Sequence, residues 1–300
     1  MELRRFLVIL TIALVIILIL AVWFFPVDED FRVENPFWNG TRDINDTYPA
    51  LPLSSLSTLP PSPQGATLIL VPYLNCNPAE LEQLNRFVTQ GGTLVLADDY
   101  GHGNQVLEHL GLKARFSGQP LLDPLVNYRN KQFPMITHPE PGPLTDNITS
   151  LVFNHATCLI TTASDNTIAL SSSFSFLDLN GNGAREENEP TGPLPVISQH
   201  NLGDGQVILV SDPSLFINSM EPIEDNGSFI QNIAAATTTS LYIDQSHLPH
   251  SDVHQTKHLL IQARDWLATP LGTAGLVIVV IIIALKPIWY KKREEDTKET

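Results

Sequence analysis

Basic residues are scarce in this sequence, which has 17 Lys and Arg against 32 Asp and Glu among its 300 residues. Between two long apolar runs the imbalance is greater, with 10 basic and 27 acidic residues. A surface this acidic repels phosphate backbones, which argues against nucleic-acid binding. It would attract divalent cations or a basic partner, although a role in solubility or salt adaptation is the more ordinary explanation.

Several common catalytic signatures are absent as well. The sequence has no Gly-x-Ser-x-Gly elbow, no Walker phosphate loop and no Gly-x-Gly-x-x-Gly dinucleotide motif. Each of these motifs presents a nucleophile or a row of backbone N–H groups to a substrate or cofactor. Without them, the sequence gives no indication of a serine hydrolase elbow, an NTPase or a dinucleotide-dependent enzyme.

Long apolar runs, in contrast, are present near both ends of the chain. Residues 6–25 are apolar except for one threonine, and about 20 residues at ~1.5 Å each match the hydrocarbon core of a bilayer. A second, shorter run lies at residues 269–290. Basic residues in segments 1–5 and 291–300 predict that both termini are cytoplasmic and that the chain crosses the cell membrane twice. A cleaved signal peptide is the competing interpretation of the first run, which lacks a clear cleavage site.

The region between the two runs is therefore predicted to lie outside the cell. It contains both cysteines, Cys76 and Cys158, and an oxidising exterior permits a disulfide between them. It also contains four Asn-x-Ser/Thr sequons, which are candidate glycosylation sites in an exterior segment. Their asparagines are Asn39, Asn45, Asn147 and Asn226.

This outer region begins irregularly and then alternates between strand and helix patterns. Residues 26–65 are rich in Pro, Ser, Asn and Asp, which predicts an extended stalk or a packed segment. The continuous apolar run 66–73 predicts a buried parallel strand. A helix is expected from the capping residue Asn77 to the Gly91-Gly92 pair, followed by a second buried strand at 93–99.

The alternation continues towards the second apolar run. We predict a short helix at 104–110, four later strands, and two amphipathic helices near 228–238 and 253–267. Strand–helix–strand units of this kind are almost always right-handed with parallel strands. The pattern therefore predicts a three-layer α/β domain over residues 66–268, with a mostly parallel sheet, between two transmembrane helices.

Several stretches of this pattern resemble an uncharacterised membrane-anchored family of archaea and some bacteria with a glutamine-amidotransferase-like outer domain. They include "NPFWNGT", "RFVTQGGTLVLADDYGHGNQVLEHLGL", "SFLDLNGNG" and "GQVILVSDPSLFIN", spread between Asn35 and Asn232. The resemblance implies a flavodoxin-like or class I amidotransferase-like fold with no established activity. It also implies envelope or membrane proteins as partners, including an AAA+ ATPase system that is encoded nearby in related bacteria.

The residues needed for amidotransferase chemistry are not evident. Active members of that group use a cysteine in a glycine-flanked turn together with a His-x-Glu pair, because a nucleophile needs an activating base. Cys76 lies in "LNCNPA" without a flanking glycine, and Cys158 lies in the apolar run "HATCLITT". We therefore interpret the domain as inactive in this chemistry and assign no catalytic residue.

The segment "DLNGNGAREENE", from Asp178 to Glu189, matches the calcium-loop pattern D-x-[DN]-x-[DN]-G-x5-E. Such a loop supplies oxygen ligands at alternating positions around a glycine and ends on a bidentate glutamate. No helix pattern flanks it, so a polar hairpin turn is the alternative. We expect a structural Ca²⁺ of modest affinity. Its ligands would be Asp178, Asn180, Asn182, the backbone of Ala184, Glu186 and Glu189.

A second candidate site, "DDYGHGN", follows a predicted central strand and precedes a helix. Ligands of open α/β sheets bind at the carboxyl ends of strands, so Asp98, Asp99 and His102 are candidate ligand-binding residues. Asp212 occupies a similar strand-to-helix junction in "SDPSLFIN". A glycine turn followed by a helix cap is the alternative interpretation.

Together these features favour a membrane-anchored, non-enzymatic domain outside the cell that binds a partner or scaffolds an envelope complex. A hydrolase that uses the loop from Asp98 to Asn104 is the alternative hypothesis. A solute-sensing domain is a third hypothesis, which the short tail at residues 291–300 weakens because it holds no domain to receive a signal.

Overall fold

The apolar runs predicted as buried strands pair with one another in a seven-stranded sheet. The computed structural model describes residues 3–161, 166–249 and 251–296. The strands are β1 Leu51–Leu53, β2 Thr67–Leu70, β3 Thr93–Ala97, β4 Arg115–Phe116, β5 Leu121–Leu122, β6 Met135–Thr137, β7 Ser150–Val152, β8 Leu159–Ile160, β9 Asn166–Leu170, β10 Phe176–Leu177, β11 Pro195–Leu202, β12 Gly205–Val210 and β13 Leu241–Asp244. The helices are α1 Leu3–Phe24, α2 Arg42–Thr47, α3 Pro78–Thr89, α4 Asn104–His109, α5 Asn226–Ala236, α6 Asp252–Ala268 and α7 Pro270–Asp296.

The chain divides into two units. The larger unit, Pro26–Pro249, holds the sheet and helices α2 to α5. The other unit consists of the two terminal segments with α1, α6 and α7. The α/β domain therefore begins earlier than the predicted residue 66 and ends earlier than the predicted residue 268.

The strand order of the sheet is β1-β13-β2-β3-β12-β11-β9. Strands β1, β13, β2, β3 and β12 are parallel, and β11 and β9 continue the sheet in antiparallel fashion. The predicted mostly parallel sheet is confirmed. Numbered along the chain, the five parallel strands lie in the order 1-5-2-3-4, which differs from the flavodoxin-like order. The flavodoxin-like expectation is therefore wrong in its topology.

Successive residues of the central strands supply two cores, because side chains of a strand alternate between faces. Leu68 and Leu94 belong to one buried cluster, together with residues of α3 and α4. Ile69 and Val95 belong to the other cluster, together with residues of α5. Helices thus cover both faces of the sheet, in agreement with a layered α/β fold.

Helix α3 begins where the sequence pattern predicts, and its start is held by a capping box. The Asn77 side chain accepts hydrogen bonds from the N–H groups of Ala79 and Glu80 at 2.9 and 3.1 Å, and the Glu80 carboxylate accepts from Asn77 N–H at 2.8 Å. Pro78 occupies the first helical position, where its missing N–H costs nothing. The cap fixes Glu80 beside the end of β13, which is important for the site described below.

The segment at residues 26–65 packs into the domain and is not a stalk. Phe31, Ile44 and Leu56 are each 5% exposed or less. Strand β1 of the same segment forms the edge of the sheet and pairs with β13. The composition indicated irregular structure, but it could not indicate that these few apolar side chains are buried.

One helix of the described residues, α1, is by itself long and apolar enough to cross a membrane. The second predicted span, residues 269–290, lies within the single helix α7 apart from its first residue. Residues Gln255–Ala268 and Pro270–Ile282 meet the same test only as a pair, and the pair is bent by 86°. Among the described residues, a second helix that passes the test by itself is therefore not found.

Candidate functional site at the carboxyl-terminal edge of the sheet

The residues that follow β3 and β12 emerge side by side. These strands are parallel neighbours with Ala97 paired to Val210, and the N–H of Asp98 donates to the carbonyl of Val210 at 3.1 Å. The residues that follow these two strands therefore meet at one edge of the sheet, as predicted for open α/β folds. Asp98 and Asp212 are 3% and 0% exposed at this edge.

Asp98 has a local structural role. Its carboxylate accepts hydrogen bonds from the N–H groups of Tyr100 and Gly103 at 3.0 and 2.6 Å, which shapes the turn before α4. Burial raises the pKa of Asp98, and these hydrogen bonds oppose the rise. The cap interpretation therefore applies to Asp98.

Asp212 also has a local structural role. Its carboxylate accepts from Asn154 N–H at 2.5 Å and from Ser214 N–H at 2.8 Å, so it holds the turn that follows β12. Burial raises the pKa of Asp212 well above its usual value. The hydroxyl of the preceding Ser211 is fully buried and, within the described residues, lacks a hydrogen-bond partner.

Asp99 is the most exposed of the three carboxyl groups at this edge. It is half-buried, and burial followed by the charge of Asp98 raises its pKa to about 7. The charge of Asp99 in turn raises the pKa of Asp212 and of Tyr73, whose own burial is the larger cause. The four side chains therefore lie within electrostatic reach of one another.

Tyr73 and His102 also lie at this edge of the sheet. Tyr73 follows β2, and sequence analysis missed it because it looked like the end of an apolar run. His102 is exposed in the turn before α4, with its ring centroid 6.5 Å from that of Tyr100. Its charge lowers the pKa of Asp98. The predicted group of Asp98, Asp99, His102 and Asp212 is thus brought together at one edge.

A second polar cluster, around His247, was not predicted. The Nδ1 atom of His247 lies 2.9 Å from Asp244 Oδ2, and Nε2 lies 3.4 Å from Glu80 Oε2. Burial lowers the pKa of His247, but hydrogen bonds to Asp244 and Cys76 outweigh it and bring the pKa to about 10. His247 is therefore a buried cation that ties the end of β13 to the start of α3. Its spacing from Glu80 in the sequence gives no sign of this contact.

The two cysteines are free and buried, so the predicted disulfide is wrong. Cys76 belongs to the core beneath α3 and α4, whereas Cys158 belongs to the core on the other face of the sheet. The sheet separates them. Burial raises the pKa of Cys158 to about 11, which keeps its thiol neutral at neutral pH.

The expectation that the sequence lacks a His-x-Glu tripeptide is wrong, because one occurs at His138-Pro139-Glu140. His138 and Glu140 are exposed in the segment after β6. Within the part of the chain that the structure describes, no hydrogen bond joins His138 to a cysteine. An amidotransferase-type nucleophile and base are therefore not assembled from these residues.

The predicted calcium loop begins directly after strand β10, which pairs with β5. The loop is therefore preceded by a strand, where an EF-hand has a helix. Its terminal acids, Asp178 and Glu189, are 4% and 5% exposed. Asn180, Asn182, Ala184 and Glu186 are exposed between them. Among the described residues, no group of three His, Cys, Asp or Glu side chains is already arranged as a metal cluster.

The four sequons differ in accessibility. Asn226 is fully buried: its amide nitrogen donates to two backbone carbonyls, and its oxygen accepts from Val152 N–H at 3.0 Å. The prediction of a glycan acceptor at Asn226 is therefore wrong for the folded domain. Asn147 is exposed, and Asn39 and Asn45 are half-buried.

A comparison with protein families gives one clear result. The family described as "Domain of unknown function (DUF4350)" matches residues 39–234. The chain belongs to this family. The match includes the strand-end edge and the calcium-loop segment, and it agrees with the expected membership of an uncharacterised family. A comparison with curated proteins gave no match.

Solved structures give only distant likenesses. "mmIFT52 N-terminal domain" is 13% identical with a TM-score of 0.44, over 57% of this chain and 77% of that one. "Cytoplasmic Protein STM1381 from Salmonella typhimurium LT2" is 12% identical with a TM-score of 0.41, over 66% and 79%. The β-galactosidase from Bacillus circulans sp. alkalophilus is 16% identical with a TM-score of 0.36, over 57% and 22%. These likenesses are too distant to add to the description of fold or function.

Proposed function

We propose that this chain is a membrane-anchored domain outside the cell that binds a basic segment of a partner protein at the strand-end edge. The convergence of Asp98, Asp99 and Asp212 at that edge carries the proposal, because clustered carboxyls favour a cationic ligand. Asp98 and Asp212 are engaged by backbone N–H groups. Asp99 is half-buried with a pKa of about 7, so a lysine or arginine beside it would stabilise its charged form.

The apolar helix α1 supports the membrane anchor. We further propose that α7 supplies a second crossing, with both termini in the cytoplasm, because basic residues flank both apolar runs. The net acidic character of the region between the runs fits a domain that meets basic surfaces of other membrane or envelope proteins. An AAA+ ATPase system remains a prediction from the family resemblance.

The state of one buried nucleophile, Cys158, supports a role without catalysis. The Cys158 thiol is neutral at neutral pH, and a neutral thiol is a poor nucleophile. The domain would then act by binding.

Site-specific photo-crosslinking in native membranes tests the proposal. A photoreactive residue at Tyr100, which is 68% exposed in the strand-end loop, should capture a discrete protein partner. The same residue at the exposed Gln90, which lies at the opposite edge just before β3, is the matched control. Asp99→Asn should lower the yield at Tyr100 about fivefold, and added salt should lower it further. Equal capture at both positions, or none at either, would contradict the proposal.

A second candidate function is a hydrolase that uses Asp99 as a general acid or base. The observation that favours it is the pKa of about 7, since a catalytic group works best when its pKa is near the operating pH. An activity screen with wild type, Asp99→Asn and His102→Ala distinguishes the two functions. Turnover that both substitutions remove would favour the hydrolase, and turnover that survives both would exclude these residues from it.

A further inference from the structure

The loop from Asp178 to Glu189 buries a carboxylate at each end while its middle remains in water. Asp178 is 4% exposed and Glu189 is 5% exposed. Among the described residues, no basic side chain lies within 4.0 Å of either carboxylate. Removing two carboxylates from water without a cation is costly. A bound cation would therefore stabilise the two buried carboxylates of this loop.

Asp178 has an unsatisfied oxygen that faces the loop. Its Oδ2 atom accepts a hydrogen bond from the N–H of Gly183 across the loop at 2.8 Å, which turns the carboxylate towards the loop interior. The Oδ1 atom of the same group is buried and has no hydrogen-bond partner. A buried carboxylate oxygen without a partner is uncommon in folded proteins and calls for an ion or a donor.

A glycine turn and two side-chain hydrogen bonds shape the middle of the loop. Gly183 has φ +70°, a conformation that permits the sharp turn which a calcium loop needs at that position. Asn180 and Asn182 fold back on the chain, accepting from the N–H groups of Asn182 and Ala184 at 2.9 and 2.7 Å. These hydrogen bonds hold both amide oxygens against the loop backbone, while the two side chains remain exposed to solvent.

Hydrogen bonds within the loop also hold Glu189 and Glu186 in place. Glu189 accepts from the N–H groups of Leu179 and Glu186 at 2.9 and 3.0 Å, which closes the loop end to end. Glu186 accepts from the Asn182 amide at 2.7 Å. Rotation of these two carboxylates towards Asp178 would give the cation three charged ligands, while Asn180, Asn182 and the Ala184 carbonyl add three neutral oxygens.

We propose that this loop binds a divalent cation, with Ca²⁺ preferred over Mg²⁺, through Asp178, Asn180, Asn182, Ala184, Glu186 and Glu189. Six oxygen donors with flexible spacing suit Ca²⁺, whereas Mg²⁺ demands a compact octahedron and keeps its waters. Because the loop extends from the β10–β5 pair, without helices to reorient, the ion stabilises the fold and transmits no signal. This site is independent of the strand-end edge proposed as the partner surface.

A lysine outside the loop modulates the site. Lys131 donates to the carbonyl of Gly183 from a neighbouring segment. Its positive charge next to the loop opposes a second cation. Lys131→Met is therefore expected to raise the affinity for Ca²⁺ about threefold or more.

Calorimetric titration of CaCl₂ into the chelator-treated full-length protein in detergent tests the proposal, with thermal melting in parallel. We expect saturable binding with a Kd of about 10⁻⁴–10⁻³ M, as in weak extracellular calcium modules. The melting temperature should rise by about 3–5 °C at a tenfold excess over Kd. MgCl₂ should give at most a small fraction of either effect.

Variants then locate the ion. Asp178→Asn and Glu189→Gln should each weaken binding at least about tenfold, whereas Glu187→Gln, which removes an exposed acid of the same loop that is not a ligand, should leave it unchanged. If a buried variant fails to fold, Asn180→Ala and Asn182→Ala at exposed positions provide the same comparison. Absence of saturable Ca²⁺ binding up to about 10 mM would overturn the proposal. An equal loss of affinity in Glu187→Gln would also overturn it, because it would indicate diffuse charge attraction.

Discussion

His247 is the residue on which the join between β13 and α3 depends. A carboxylate faces each of its ring nitrogens, from Asp244 and Glu80. Its folded-state pKa of about 10 lies above the ordinary histidine value of 6.5. The stabilisation is therefore fully present below about pH 6.5 and is lost progressively as pH rises through about 10.

We expect the free energy of unfolding to fall between pH 7 and pH 10 by the order of a few kcal/mol, with His247 as a main contributor. His247→Gln should be less stable at pH 7 and should flatten this slope, because the titrating charge is gone. Urea unfolding of the full chain in detergent across this range measures both effects. His102→Gln, at an exposed position, is the control and should retain the wild-type slope. An identical slope in His247→Gln and wild type would contradict the assignment.

Asn226 shows how a residue can match a surface motif and still be structural. Its amide group is fully buried, and it donates to the carbonyls of Val152 and Met220 at 2.9 Å each. Asn226→Asp removes both donors and buries a carboxyl against two carbonyl oxygens. We expect a loss of about 3 kcal/mol or more, or ~6–12 °C in melting temperature.

Asn147→Asp is the matched control for this substitution, because Asn147 is exposed in another sequon. Its melting temperature should stay within about 2 °C of wild type. Thermal melting of both variants makes the comparison. Equal small shifts would mean that the amide of Asn226 contributes little.

At the scale of the elements, α3 combines a sequence signal with a tertiary role. Its capping box satisfies orphan N–H groups at the helix start, and Glu80 of that box also faces His247. Asn77→Ala should cost about 1 kcal/mol and lower the melting temperature by ~2–4 °C. Asn85→Ala in the middle of the same helix is the control and should have little effect or a small stabilising one. Equal destabilisation by both substitutions would argue against the cap.

The strands also show what a local pattern can and cannot predict. The continuous apolar runs correctly predicted β2, β3 and β12, since strands buried on both faces need apolar residues at every position. Strand β13, "LYID", is also an interior strand of the sheet, but its four residues include a tyrosine and end on an aspartate. Its place between β1 and β2 depends on pairing with distant segments, which no short window contains.

At the scale of the whole molecule, the proposed orientation can be tested with cysteine labelling. Both native cysteines are buried, so wild type should react little with a membrane-impermeant maleimide in intact cells. Ser173→Cys, at an exposed position before β10, should be labelled from outside. Lys298→Cys in the C-terminal tail should be labelled only after permeabilisation. Labelling of the tail from outside would contradict the two-pass topology.

The sequence alone determined the properties that local chemistry controls. Apolar length predicted α1, a helix long and apolar enough to cross a membrane. Capping residues predicted α3, and apolar runs predicted a mostly parallel sheet. The same local information placed Asp98, Asp99 and Asp212 at strand ends, because residues after parallel strands share one edge of a sheet. The spacing of oxygen donors identified the loop from Asp178 to Glu189 as a calcium-binding candidate.

The tertiary structure decided the properties that depend on contacts between distant segments. It put Cys76 and Cys158 in separate cores, which prevents a disulfide, and it buried Asn226 within a sequon. It packed residues 26–65 into the domain and surrounded His247 with carboxylates from β13 and α3. Burial and long-range pairing produce these outcomes, and both are set by the whole fold because a residue's neighbours in space are not its neighbours in sequence.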